Sequence, residues 1–600
     1  MLRDELTRLV ASAVRDSIAD GELPEAASGI PVEISDTKTP EHGDFACNFA
    51  LIATKPLGMP PRRIGELLAA RLSSFPEFAG VEVAGPGFLN LRLTPSTISR
   101  WVPWVLAHSS ELGLADVGKG QRVNVEYVSV NPNGPITIGS GRGAAFGDTL
   151  CRVLLASGFE PYREYYINDG VNSEQMRLFA ESVKHYYRSA LGLESAFPEK
   201  GYKGEYVTDV AVRLRELFGD GRAEEPTLWF QQRSQELMIE RQRNDLHAFR
   251  VDFDRWFSEQ SMHDSGLVKE SIDFLVSNGN AYWAVKSENP GQPRPGQIVE
   301  EDEDEESGTE ALWIRSSAFG DDKDRVLVRS DGRPAYIAGD VAYFANKFGR
   351  GFEKLKLVLG PDHHGYIGRM YGACGALGHT TGHEGEFEII IYQLVRFMKE
   401  GKPAPMRKRD GNIYELRDLI SELGANAAPT ASLEEQQRIG ADVGRFFFLM
   451  RSHESHMDFD IDLATKQSDD NPVFYAQYAH ARICKMLEKA VLAGFAIDGP
   501  FDHSLLVHPR ELALVRKILD LSFEVARCAS DYGVHRIATY SVELARAFHY
   551  FYDACKVVQP EEPLLSASRV ALSVAARATL AATFELIGVS APRQMHRAEA

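Results

Sequence analysis

Between Val125 and Leu150 an apolar strand-like run leads into Asn131-Pro132-Asn133-Gly134-Pro135. Thr137-Ile138-Gly139-Ser140 follows, then Gly141, Gly143 and a helical stretch. A glycine-rich strand-to-helix turn lets backbone N–H groups and the positive end of a helix approach phosphate closely, because no Cβ intervenes. The same glycines would serve plain helix–sheet packing, so the residue types leave both roles open. Two further clusters could meet a nucleotide. Gly360-Pro361-Asp362-His363-His364-Gly365 follows the apolar run KLKLVL and offers imidazoles and a carboxylate for ligand hydrogen bonding. A metal site there lacks evident completing ligands, and none is expected. Met406-Arg407-Lys408-Arg409-Asp410-Gly411-Asn412 is a basic loop able to neutralise phosphate.

The elements that must position these residues are legible as patterns. Residues 1–108 end in VEVAGPGFLNLRLTP, whose alternating apolar residues and glycines predict closing strands of a small α+β domain. From 121 to 425, strand-like runs such as Leu355 to Leu359 and Glu388 to Tyr392 alternate with helical stretches, predicting a parallel α/β sheet with insertions. Ligands in such sheets lie at the carboxyl ends of strands, where all three clusters fall. From 440 to 600 the pattern becomes long amphipathic helices, an all-helical domain.

Composition narrows the class. A length of 600 residues with 44% hydrophobic side chains suits several cores. The sequence predicts no membrane partner, since an apolar run of about 18 residues is not evident; the amphipathic, charged first helix does not read as a signal peptide, so a cytoplasmic protein is expected. Six scattered cysteines suggest buried thiols without disulfides or zinc. The net charge of −19 argues against nonspecific nucleic-acid binding but leaves room for a local basic groove, and much of the acidity sits in Glu300–Glu306, read as a solvated loop.

Taken in order, these pieces resemble a class I aminoacyl-tRNA synthetase, specifically the arginyl-tRNA synthetase family. EHGDFACNFALIATK resembles its amino-terminal domain, NPNGPITIGSGRGAAFGD its first signature and YYINDGVN the segment after it. YKGEYVTDVA, FDRWFSEQS, DDKDRVLVRSDGRPAYIAGDVAYF, LGPDHHGYIGR, RFFFLMRS, DNPVFYAQYAHARI and GVSAPRQM continue the likeness along nearly the whole chain. The resemblance implies a multidomain α/β protein with a Rossmann-type catalytic core at 121–425, a D-loop-binding domain at 1–108 and an anticodon-binding domain at 440–600. It implies ATP, used as its magnesium complex with no tightly bound cofactor, and L-arginine and arginine tRNA as partners of a monomeric ligase.

By that resemblance Glu126 and Asn131 hold the α-amino and carboxylate end of arginine, while Tyr336 and Asp340 face its guanidinium. Pro135, Gly139, Asp362, His363, His364, Gly365, Met406 and Arg407 line the ATP site. Catalytic donors fall on Thr137, Ser140 and Lys408. Phe88 and Asn90 would meet the tRNA D-loop; Tyr475, Gln477, Tyr478, Arg482 and Met595 would meet the anticodon. The family's first signature normally reads His-x-Gly-His, but here Thr137 and Ser140 replace both imidazoles, and Pro405-Met406-Arg407-Lys408-Arg409 stands for Lys-Met-Ser-Lys-Arg. A working arginine ligase is therefore weighed against a catalytically weakened paralogue that binds tRNA or arginine in a regulatory role.

Overall fold

The computed structural model describes residues 1–37, 39–171, 173–286, 297–298, 308–403 and 413–595. Its centre is a five-stranded parallel sheet in the order Phe387–Ile391, Lys354–Leu359, Arg122–Glu126, Glu160–Ile167, Arg255–Ser258. Val123, Val125, Leu355 and Val358 are buried, as parallel strands covered on both faces require. The order runs outward in both directions from Arg122–Glu126 and Lys354–Leu359, so the sheet's topological switch lies between these neighbours. A crevice at their carboxyl ends is the general binding position of such a sheet.

The helix Ile138–Ala156 leaves the first strand and packs against the sheet almost without a polar face, with most of its residues buried. Its glycines let it in. A Cβ on Gly143 would lie 2.7 Å from the Tyr392 ring, and one on Gly147 would lie 2.3 Å from Tyr127. Gly141 likewise meets Phe448, so at these positions the glycine-rich turn serves close packing. Replacing Gly147 with Ala is expected to destabilise the fold by about 1–3 kcal/mol, because overpacking outweighs the gain in helix propensity. Tyr127 cannot yield, being fully buried against Phe253 with ring centroids 4.5 Å apart. A denaturant midpoint no lower than that of the parent protein would refute this.

An amino-terminal unit carries an antiparallel sheet in the order Ile34–Asp36, Phe45–Cys47, Phe88–Leu93, Phe78–Ala84, covered by Leu2–Ala19 and Pro61–Leu72. A smaller sheet, in which Ala281–Lys286, Glu310–Ile314 and Arg325–Val328 pair antiparallel, is inserted between the core strands Arg255–Ser258 and Lys354–Leu359. The expectation of helix alone over 440–600 is corrected by the strand Met457–Asp460, which pairs in parallel with Val395–Lys399. The carboxyl-terminal part is mainly helical, from Leu433–Leu449 through Pro472–Leu492 and His535–Ala554 to Pro563–Leu586. This last helix corrects one expectation, since by length and composition it is apolar enough to cross a membrane. Small residues raise its hydropathy, and Leu572, Ala576, Leu580 and Phe584 are buried in the helical core. All six cysteines are free and buried.

A buried arginine joins the helical part to the core. Arg445, fully buried, donates to Asp148 Oδ2 on the first core helix at 2.5 Å and to the carbonyls of Phe249 and Ile587. A buried charge stripped of its partner is costly, so this joint fixes the two parts in one arrangement.

Candidate functional site

The first core strand ends at Glu126, and the chain then bends through a strained turn. Val128 has φ +70° and Ser129 φ +44°. Positive φ is a genuine outlier for a β-branched residue and persists only when its surroundings enforce it. Here Tyr165 Oη donates to the Val130 carbonyl and accepts from its N–H, each at 2.9 Å. Buried Gln242 donates to the carbonyls of Asn131 and Gly134 at 3.1 and 2.7 Å. Pro135 is buried, while Asn131 is half-buried and donates from its side chain to Gln175 at 3.1 Å.

Glu126 itself is buried and already partnered: Lys347 Nζ donates to its Oε2 at 2.6 Å and Ser129 Oγ to its Oε1 at 3.2 Å. Tyr336 and Asp340 lie one turn apart on the helix Tyr336–Gly349, Tyr336 with 77% of its surface exposed. Burial pushes the Asp340 carboxyl up to about 6; Arg369 opposes the shift and Glu126 adds to it.

The structure adds acidic groups that the sequence reading passed over. Asp169 follows the second core strand and accepts from Ser258 Oγ at 2.6 Å and the Gln260 N–H at 3.0 Å. Glu259, just beyond the third strand, is pushed up to about 7 by burial, with Asp169 and Asp340 adding repulsion and a Tyr166 hydrogen bond opposing it. The Tyr166 phenol is held well above its ordinary range by burial and by Glu259, Asp340, Glu126 and Asp169 together. Glu126, Asp169 and Glu259 thus lie at the carboxyl ends of three adjacent strands, with Asp340 approaching from the helix Tyr336–Gly349. Burial, with the neighbouring carboxylates adding to it, disfavours ionisation of Glu259 and Asp340. A strand-end carboxylate after each apolar run was the available signal, since both residues lie in the motifs YYINDGVN and FDRWFSEQS.

Across the crevice Thr137 and Ser140 open the first core helix, both half-buried, with their hydroxyl oxygens 3.4 Å apart. Thr137 is the N-cap, yet its side chain makes no capping bond. Gly139 lies between them in the first turn. Asp362, His363, His364 and Gly365 form the short 3₁₀ turn Pro361–Tyr366 after the strand Lys354–Leu359. That turn adjoins the first core helix through Tyr392, whose ring abuts Gly143 and whose phenol is pushed up to about 12 by burial and then by Asp362. Met406, Arg407 and Lys408 lie outside the described residues. The chain re-enters beside the same turn, where Ile138 N–H donates to the Tyr414 carbonyl at 3.2 Å and Leu416 N–H to the Ile136 carbonyl at 2.8 Å.

The predicted RNA contacts separate. Phe88 is 41% exposed, whereas Asn90 is buried on the same strand. Tyr475, Tyr478 and Arg482 share one helix face with His549, Arg482 donating to His549 Nδ1 at 3.0 Å and lying 4.5 Å from the Tyr552 ring centroid. Gln477 points elsewhere: it is buried and donates to Asp442 Oδ2 at 3.0 Å and the Ser590 carbonyl at 2.9 Å. Met595 is half-buried at the end of the described chain. Among the described residues, no cluster of histidine, cysteine and carboxylate side chains could hold a metal.

Comparison with known proteins bears on the fold and the family. Residues 4–93 match the arginyl tRNA synthetase N terminal domain family, and residues 476–595 match the DALR anticodon binding domain family. The structure resembles that of Thermus thermophilus arginyl-tRNA synthetase with a TM-score of 0.70 over 99% of this chain and 100% of that one, at 23% identity, a likeness of fold. The Bacillus subtilis arginine–tRNA ligase is 37% identical over 99% of this chain and 100% of its own length. Arginine–tRNA ligase 1 of Halalkalibacterium halodurans is 39% identical over 99% of this chain and 98% of its own length. With both ends of the chain and its whole length matched in this way, the protein belongs to the arginyl-tRNA synthetase family.

Proposed function

We propose that this arginine–tRNA ligase receives the guanidinium of L-arginine among Asp169, Glu259, Asp340 and Tyr336, with Glu126 and Asn131 at the α-amino and carboxylate end. The observation that carries this reading is the gathering of Asp169, Glu259 and Asp340 about Tyr166 in one cleft, where burial and the neighbouring carboxylates raise Glu259 and Asp340. A planar guanidinium has five donors and remains charged at any physiological pH, so it suits such a cleft better than a neutral or anionic substrate.

ATP, as its magnesium complex, would lie across the switch point, its phosphates toward the amino end of Ile138–Ala156 and its adenosine side along Asp362–Gly365. The helix dipole and first-turn amides favour anions there. The arginine carboxylate attacks the α-phosphorus, the bond to the bridging oxygen breaks, and pyrophosphate leaves with the electron pair. Thr137 and Ser140 stand where the family's two histidines would donate, and Lys408 supplies the remaining cation. The terminal ribose hydroxyl of tRNA then attacks the arginyl carbonyl and displaces AMP. Tyr475, Tyr478 and Arg482 offer stacking and phosphate contacts to splayed anticodon bases, and exposed Phe88 offers one to the D-loop. Gln477 and Asn90, both buried, would support these surfaces from behind. The working state is a monomer in the cytoplasm.

The deciding experiment is charging of arginine tRNA by the purified protein with labelled arginine, ATP and magnesium. Robust, arginine-specific charging is expected. Retention of tRNA binding without charging would instead favour the weakened, regulatory paralogue.

A further inference from the structure

Beneath the acidic cleft, behind Glu126, lie the buried charges of Lys347 and Glu164. Lys347 is buried, and it shares a stripe of the helix Tyr336–Gly349 with Tyr336, Asp340 and Tyr343, at intervals of three and four residues. The stripe runs from the exposed mouth of the cleft to its floor. At the floor, the Lys347 ammonium donates to Glu126 Oε2 at 2.6 Å, lies 3.9 Å from Glu164 Oε1 and sits 4.2 Å from the Tyr343 ring centroid. Glu164, fully buried beside Glu126 in the sheet register, is satisfied without it: Arg350 makes a two-pronged contact at 2.6 and 2.8 Å, and Tyr343 Oη donates at 2.7 Å. Lys347 is therefore committed mainly to Glu126.

We propose that Lys347 is a positioning residue for the amino-acid substrate, holding the Glu126 carboxylate in one orientation from behind so that it can receive the α-amino end of arginine. A strand-end glutamate has several rotamers, and in a cleft containing Asp169, Glu259 and Asp340 an unpinned carboxylate would be driven away from its neighbours or protonated. Lys347 and Ser129 hold one Glu126 oxygen each, and among the described residues Lys347 is the cation paired with it. This inference rests on the assignment of Glu126 to arginine binding made above.

A double-mutant cycle on the full chain tests it, with KM for arginine and for ATP read separately in tRNA-dependent pyrophosphate exchange. E126Q is expected to raise KM for arginine about 10- to 100-fold, the usual loss of a hydrogen bond to a charged group. K347M should do the same with KM for ATP nearly unchanged, K347R should recover part of the loss, and K347M/E126Q should be no worse than E126Q alone. If K347M does not fold, K347Q, which keeps a hydrogen-bond donor without the charge, takes its place in the cycle, and an unchanged KM for arginine in that variant overturns the role. Losses that multiply in the double variant, or an unchanged KM for arginine in K347M, would overturn the role of Lys347 while leaving that of Glu126 intact. An E126Q enzyme with unaltered KM for arginine would overturn the assignment of Glu126 and this inference with it.

Discussion

Replacing Asp340 with Asn is expected to lower kcat/KM for arginine about 10²- to 10³-fold while leaving KM for ATP within about twofold, the size of effect seen when one member of a desolvated charge pair is truncated. The side chain stays the same shape and remains on its helix, so the loss reports charge. Acidification should mimic the substitution. Glu259 and Asp340 are pushed up to about 7 and about 6 in the folded protein, above their ordinary values, and the proposed arginine site uses their ionised forms. Arginine affinity should therefore be full above about pH 7 and fall as pH drops through about 7 and then about 6. The stability sign is opposite. A carboxyl raised in the folded state makes folding less favourable as pH rises from its unfolded value, about 4, to its folded one, so the free protein loses stability across that window and bound arginine restores it. In the Asp340→Asn enzyme Glu259 loses a repelling neighbour, which moves the acidic limb of the arginine profile to lower pH. A profile that falls in amplitude without moving would show that these carboxylates do not share one site.

How far the sequence reveals this site depends on the range of each interaction. Asp340 and Tyr336 are separated by one helical turn, and a local pattern suffices to pair them. Asp169 and Glu259 meet only because Glu164–Ile167 runs in parallel register with Arg255–Ser258, a pairing that no local spacing encodes. The partnership of Glu126 with Lys347 spans 221 positions and needs the helix to dock on the sheet before it exists. The glycines after Thr137 have two physical uses, and the structure uses Gly141, Gly143 and Gly147 to admit Phe448, Tyr392 and Tyr127. The resemblance groups Gln477 with Tyr475, Tyr478 and Arg482 along one stretch, but helical period turns Gln477 inward to Asp442 while the other three stay on one face. The alternation of apolar runs and turns carries the parallel sheet, whereas Pro563–Leu586 reaches its hydropathy through many alanines, with serines and threonines interrupting any run of bulky apolar residues.

Substituting both hydroxyl residues of the first signature, Thr137→Ala/Ser140→Ala, is expected to reduce arginine-dependent pyrophosphate exchange about 10²-fold or more, falling mainly on kcat, because transition-state donors typically contribute about 10² to 10³ each. Thr137 makes no capping bond to its own helix, and the contact between the two hydroxyls, at 3.4 Å, is long enough to be given up for a ligand. Neither is needed for the fold, so melting should be little affected. The converse variant, Thr137→His/Ser140→His, places two imidazoles where the hydroxyls stand, with greater reach and the capacity to carry charge. If the phosphates lie at this helix terminus, that variant should raise kcat or hold it near the parent level, and its activity should acquire a titration near the ordinary histidine value of about 6.5. An alanine pair with undiminished exchange would remove both hydroxyls from the chemistry and leave the helix dipole, its first-turn amides and Lys408 to stabilise the departing pyrophosphate. A histidine pair that abolishes exchange would mean that the crevice has narrowed around the smaller hydroxyls, and that the replacement of both imidazoles is built into the packing of Ile136, Leu416 and Phe448 against this turn.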